Sequence, residues 1–153
     1  MYLTHTAQYA VRALLLIASR TPKSVRVGEI ATRIDAPVNY LSKILHQLVR
    51  AELLVSSRGP TGGYRLAVPE ESITLRCVAS VYSAPTSGHC LLRQGRCGAD
   101  GSCEAHEQWI ALARPMDAFF NTTTLADLRH DPRPTPLTSP PLLAGSSTRG
   151  SIQ

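Results

Sequence analysis

The sequence predicts a mainly α fold with one small β-hairpin. Three observations carry this. Apolar residues recur at helical spacing in three successive segments before residue 52; the period then changes around a glycine-rich turn at 59–63; and helical spacing returns beyond residue 104.

The first segment, residues 4–20, places Tyr9, Ala13, Leu16 and Ile17 on one stripe, widened by Ala10 and Leu14. Thr4 is suited to cap its start, and Thr21-Pro22 marks its end. Residues 27–34 form a short second helix with Ile30, Ala31 and Ile34 turned inward, and Asp35-Ala36-Pro37 breaks it. The third helix spans residues 38–51. Its apolar stripe is Leu41, Leu45 and Leu48, broadened by Ile44 and Val49, and its other face carries Asn39, Ser42, Lys43, His46, Gln47 and Arg50.

Residues 53–58 read as a strand, Gly59-Pro60-Thr61-Gly62-Gly63 as a turn, and 64–67 as the returning strand. A fourth helix starts after Thr74 and runs through Leu75, Val78, Ala79 and Tyr82. Residues 83–103 form a loop containing three cysteines. A long helix covers 104 to about 120 with Trp109, Leu112, Met116, Phe119 and Phe120 as its apolar residues, and a short helix covers 124–128. From Arg129 onward the chain is rich in Pro, Ser, Thr and Gly and has too little apolar surface to fold alone, so 129–153 is expected to be disordered.

Length and composition bound the function. The 153 residues suit one domain with a tail, and no internal repeat is visible. Sixteen Lys and Arg against 11 Asp and Glu give a net charge of +5, which is compatible with a nucleic-acid partner without proving one. No apolar run approaches the ~20 residues of a membrane span. The N-terminus lacks a basic leader and a cleavage site, so a soluble cytoplasmic chain with no membrane partner is expected. No Ser-His-Asp arrangement, phosphate loop or dinucleotide fingerprint is present, so an enzyme is not expected.

Three helices followed by a hairpin is the order of a winged helix-turn-helix, here followed by a long helix. In that arrangement the stripe of the third helix docks on the first two helices, and its polar face projects at the width of a major groove. Asn39, Ser42 and Lys43 sit on its first turns, where base edges are reached; His46 and Arg50 lie further along, at phosphate distance. Arg58 and Arg65 flank the hairpin tip, where a wing places guanidinium groups at phosphates or in a narrow A·T minor groove. Double-stranded DNA is the expected partner.

The loop holds Cys90, Cys97 and Cys103, spaced C-x6-C-x5-C, with His106 three residues beyond. Thiolates are soft ligands suited to iron–sulfur clusters and zinc. Gly88, Gly95, Gly98 and Gly101 let such a loop wrap an inorganic core, and Arg93 and Arg96 favour thiolates. Spacing alone leaves iron–sulfur binding, zinc binding and thiol redox chemistry open. Cys77 lies outside the motif and reads as a small core residue.

The segment LVSSRGPTGGYRLA at 54–67 resembles the wing of the IscR/NsrR-type regulators, the Rrf family. The opening YLTHTAQYAVRALLLIA, the segment NYLSKILHQLVRAELL and the late TTTLADL are similar too, so the resemblance covers about residues 1–130. It implies a transcriptional regulator, more often a repressor, that senses iron–sulfur, redox or nitric oxide status. The cluster would sit on Cys90, Cys97 and Cys103, and the IscR-like branch makes His106 the fourth ligand, favouring 2Fe–2S over 4Fe–4S. His89, Glu104 and Glu107 compete for that role. In NsrR-like proteins a carboxylate on the partner's first helix can serve, but the matching residue here is Gln8, a poor iron ligand. The chain also departs from the IscR pattern by one extra residue between the first two cysteines.

The resemblance further implies a homodimer built on the long helix and a pseudo-palindromic operator. The domain reading is a DNA-binding domain at 1–82, a cluster loop at 83–103, a dimerisation region at 104–128 and a tail at 129–153. The competing function is a cluster-free regulator that responds through thiol oxidation or a partner protein.

Overall fold

In a computed structural model, residues 3–82 and 106–129 are described. Helix α1 (His5–Ala18) starts where Thr4 accepts a hydrogen bond from the Ala7 amide at 3.1 Å. It closes two residues earlier than the sequence predicts, with Ser19 as C-cap. Helix α2 (Val27–Ile34) ends at Asp35, which takes the left-handed conformation (φ 52°) that short polar side chains tolerate. Helix α3 (Val38–Arg50) follows, and Glu52 (φ 58°) turns the chain into the sheet.

Strands β1 (Leu54–Ser57) and β2 (Gly63–Leu66) pair antiparallel, with Leu54 opposite Leu66 and Ser57 opposite Gly63. A single 3-10 turn, Glu70–Ser72, which the sequence does not announce, leads to α4 (Leu75–Val81). Thr74 caps α4 by accepting from the Cys77 amide. Helix α5 (His106–Thr122) ends two residues later than expected, and α6 (Leu125–Arg129) closes the described chain.

The core lies where α1, α2, α3 and α4 converge. Leu14, Ile17, Ile30, Leu41, Leu45, Leu48 and Val78 are fully buried there. The stripe of α3 faces inward as its 3.6-residue period requires, so its polar face has to point outward. Helix α6 folds back on the head. Thr74 and Thr124 form an antiparallel bridge, with the Leu75 amide donating to the Thr123 carbonyl and the Leu125 amide to the Ile73 carbonyl, both at 2.9 Å. Thr124 and Asp127 cap the helix reciprocally.

Two expectations change. Cys77 is half-buried rather than in the core; its sulfur takes the Thr74 hydroxyl at 3.2 Å. The apolar residues of α5 do not share one burial. Phe120 is buried, Trp109 and Met116 are half-buried, and Leu112 (66% exposed) and Phe119 (52%) face outward. Cys90, Cys97, Cys103 and the expected disordered tail lie outside the described residues, except Arg129, which ends α6.

Candidate nucleic-acid interface

The buried stripe of α3 forces the opposite side chains into the open. Asn39, Lys43, His46, Gln47 and Arg50 are exposed, and Ser42 is half-buried beside the stripe. The helix is held at two points that periodicity does not reveal. Buried Tyr82, at the end of α4, donates its hydroxyl to the Ile44 carbonyl at 2.9 Å. Tyr40, exposed on the first turn, shares a 2.7 Å hydrogen bond with the Thr6 hydroxyl and meets Tyr9 edge-on at 5.9 Å. Burial, reinforced by the nearby Tyr40, pushes the Tyr82 phenol above its ordinary range, so it stays a neutral donor.

The wing follows α3 directly, and its strand β1 packs against that helix. Its tip is a tight turn closed by the Gly62 amide on the Gly59 carbonyl at 3.0 Å. Gly59 (φ 104°) and Gly63 (φ 151°) occupy backbone conformations that side chains rarely adopt. Arg58 and Arg65 are exposed on the tip and on β2. Among the described residues, no carboxylate pairs with Lys43, Arg58 or Arg65, so their charges are available to a polyanion. The structure thus brings the predicted α3 and wing residues onto one head.

A second set of contacts joins this head to α5. Arg76 on α4 pairs with Asp117, donates to Asn121 at 3.4 Å, and stacks its guanidinium 5.9 Å from the Phe120 ring. At the far end Arg129 pairs with Glu70 at 2.7 Å. His106 is the first residue of α5 and is half-buried. Among the described residues no three His, Cys, Asp or Glu side chains come together as a metal site, so a centre using His106 would draw its other ligands from outside them. Gln8 donates to the Leu3 carbonyl at 3.3 Å. No described helix is long and apolar enough to cross a membrane.

The Rrf2 family model, described as an iron-dependent transcriptional regulator, matches residues 3–131. The chain belongs to the Rrf2 family. It is 32% identical over 132 residues to the HTH-type transcriptional regulator IscR of Vibrio vulnificus strain YJ016, covering 86% of this chain and 79% of that protein. It is 33% identical over 131 residues to an HTH-type transcriptional regulator of Aquifex aeolicus, covering 84% and 91%. Among solved structures it resembles CymR, the global cysteine regulator of B. subtilis, with a TM-score of 0.73 at 23% identity, covering 84% of this chain and 96% of that one. It also resembles T. potens IscR, with a TM-score of 0.66 at 22% identity, covering 84% of this chain and 85% of that one.

This Rrf2 protein is therefore a winged-helix transcriptional regulator and not an enzyme. Its α3 and hairpin have the winged-helix order expected from the sequence. The hydrogen bonds of Tyr40 and Tyr82 and the Val25–Tyr64 bridge that ties the wing to the α1–α2 connection are structural contacts with no local sequence signal. Each joins residues more than thirty positions apart in the chain, two through a tyrosine hydroxyl and one through backbone, and no local period signals them.

Proposed function

We propose that this protein is a homodimeric, iron–sulfur-responsive repressor that reads a pseudo-palindromic DNA site. The carrying observation is the joining of two parts. The polar residues of α3 and the arginines of the wing are both exposed on a head in which α3 packs against β1, and the Arg76–Asp117 pair fastens that head to α5, whose first residue is His106. Asn39, Ser42 and Lys43 are assigned to base edges, and Arg58 and Arg65 to the wing contact. The outward Leu112 and Phe119 support a dimer interface on α5, which would set two recognition helices a whole number of turns apart.

The donor set fits a cluster. Cys90, Cys97 and Cys103 supply three soft thiolates, and His106 a neutral imidazole, a combination suited to 2Fe–2S. A bound cluster supplies sensitivity to oxidation, nitric oxide or iron supply. The residues themselves do the rest. Cysteine ligands bind as thiolates and a histidine ligand through an unprotonated ring nitrogen, so assembling such a centre would release protons. A differential stability of ~1–3 kcal/mol between loop states would change DNA affinity about 5- to 150-fold.

Anaerobic purification with native mass and absorbance measurement tests this reading. A dimer carrying iron and sulfide is expected, and Cys97→Ala should lose the chromophore while keeping its helical signal. A full iron–sulfur spectrum in Cys97→Ala would refute the ligand set. Colourless, iron-free protein from an iron-replete host would favour regulation through thiol oxidation or a partner protein.

A further inference from the structure

The wing is not a free hairpin. Val25, just before α2, exchanges both backbone hydrogen bonds with Tyr64 of β2, each at 2.9 Å. Gly63 lies directly under this crossing, where a methyl group would fall 2.6 Å from the Val25 carbonyl oxygen. One residue further, Arg26 stands at the N-cap of α2 with no side-chain cap bond. Its side chain runs back to the tip instead, and its guanidinium donates to the Pro60 carbonyl. Pro60 is two residues from Arg58. The base of the wing is thus held by backbone, and its tip by one guanidinium that starts from the element packed against α3.

We propose that Arg26 is a specificity-determining positioning residue. It holds the wing tip at a set pitch relative to α3, so that Arg58 meets the minor groove in register with the bases that α3 reads. The physical basis is that a narrow A·T groove attracts guanidinium only where the side chain is delivered into it. A tip held only at its base would average over positions and lose that preference. The inference rests on the reading that Arg58 contacts DNA.

A positioning residue and an independent phosphate contact leave different signatures. Losing a phosphate contact weakens all sites alike and lowers the salt slope by about one. Losing a positioning residue removes base preference, and its effect vanishes once Arg58 is gone.

The test uses the full chain and a duplex selected from a random library by the wild-type protein. A second duplex has the A·T pairs flanking each half-site replaced by G·C. Affinities are measured across salt for wild type, Arg26→Ala, Arg58→Ala, the double variant and Arg26→Lys. The wild type should prefer the A·T duplex by about 5-fold or more. Arg26→Ala should lose most of that preference with an unchanged salt slope, and the double variant should bind no more weakly than Arg58→Ala alone. Arg26→Lys, which keeps a charged donor, should restore part of the preference. Arg26 is exposed, and thermal melting of each variant confirms the fold.

Full preference in Arg26→Ala, multiplying losses in the double variant, or a uniform loss with a lower salt slope would each overturn the proposal. If Arg58→Ala itself kept the preference, the wing reading would fail and Arg26's role with it, and that outcome is distinct from the other three.

Discussion

Replacing Gly63 with alanine puts a methyl group where the Val25 carbonyl already sits. The ideal Cβ falls 2.6 Å from that oxygen and 2.8 Å from its carbon. Both neighbours are backbone, so relief requires moving a chain segment rather than turning a side chain. The Val25–Tyr64 bridge then weakens or breaks, and its two hydrogen bonds contribute about 1 kcal/mol each. Gly63 also has φ 151°, a conformation that costs a residue with a side chain about 1–3 kcal/mol. Relieving one penalty aggravates the other, so the expected loss is about 3 kcal/mol, or a melting temperature lower by roughly 10 °C.

Urea unfolding followed by circular dichroism measures this loss directly. Gly28→Ala is the internal control. A methyl there meets nothing within 4 Å, and the residue lies within α2, so a gain of about 0.4–1 kcal/mol is expected. If Gly63→Ala lost less than about 1 kcal/mol, the wing would not be locked to the segment before α2, and the steric argument would fail.

Tyr82→Phe removes only the hydroxyl that reaches Ile44. Because that carbonyl also belongs to the α3 ladder, the loss should be near 1 kcal/mol by urea unfolding. The same residue gives a pH signature. Its folded pKa is raised above the ordinary 10.0, first by burial and then by Tyr40, so the unfolded chain ionises first. Stability should hold below about pH 10 and fall as pH rises further. Tyr82→Phe should flatten that fall only in part, since burial also raises Tyr64; an unchanged alkaline slope would contradict the assignment. Arg58→Ala should weaken DNA binding in gel-shift titrations, and unchanged affinity at every salt concentration would remove the wing from the interface.

Most of the head was legible in the sequence because its signals are local. Thr4 and Thr74 are hydroxyls standing just before apolar-periodic runs, and both cap helices. The i, i+4, i+7 stripe of Leu41, Leu45 and Leu48 had one way to be buried, and this exposes Asn39 and Lys43 without further information. The glycines at 59, 62 and 63 allow a tight turn whose positive φ and close backbone approach other residues rarely tolerate. The long helix was less legible. Its apolar residues show that α5 is helical but not which of them meet the head, and Leu112 and Phe119 turned outward while Phe120 turned in.

By itself, then, the sequence determined the order of elements, the face α3 presents and the glycine-rich tip. Hydrophobic period and turn chemistry act over a few residues and hardly depend on what lies beyond them. Only the tertiary structure decided how these parts are tied together. The Val25–Tyr64 bridge, Arg26 on Pro60, Tyr82 on Ile44 and Arg76 on Asp117 each join residues far apart in the chain. Such contacts depend on which distant segments the core brings within hydrogen-bond distance, and that is settled only when the helices pack.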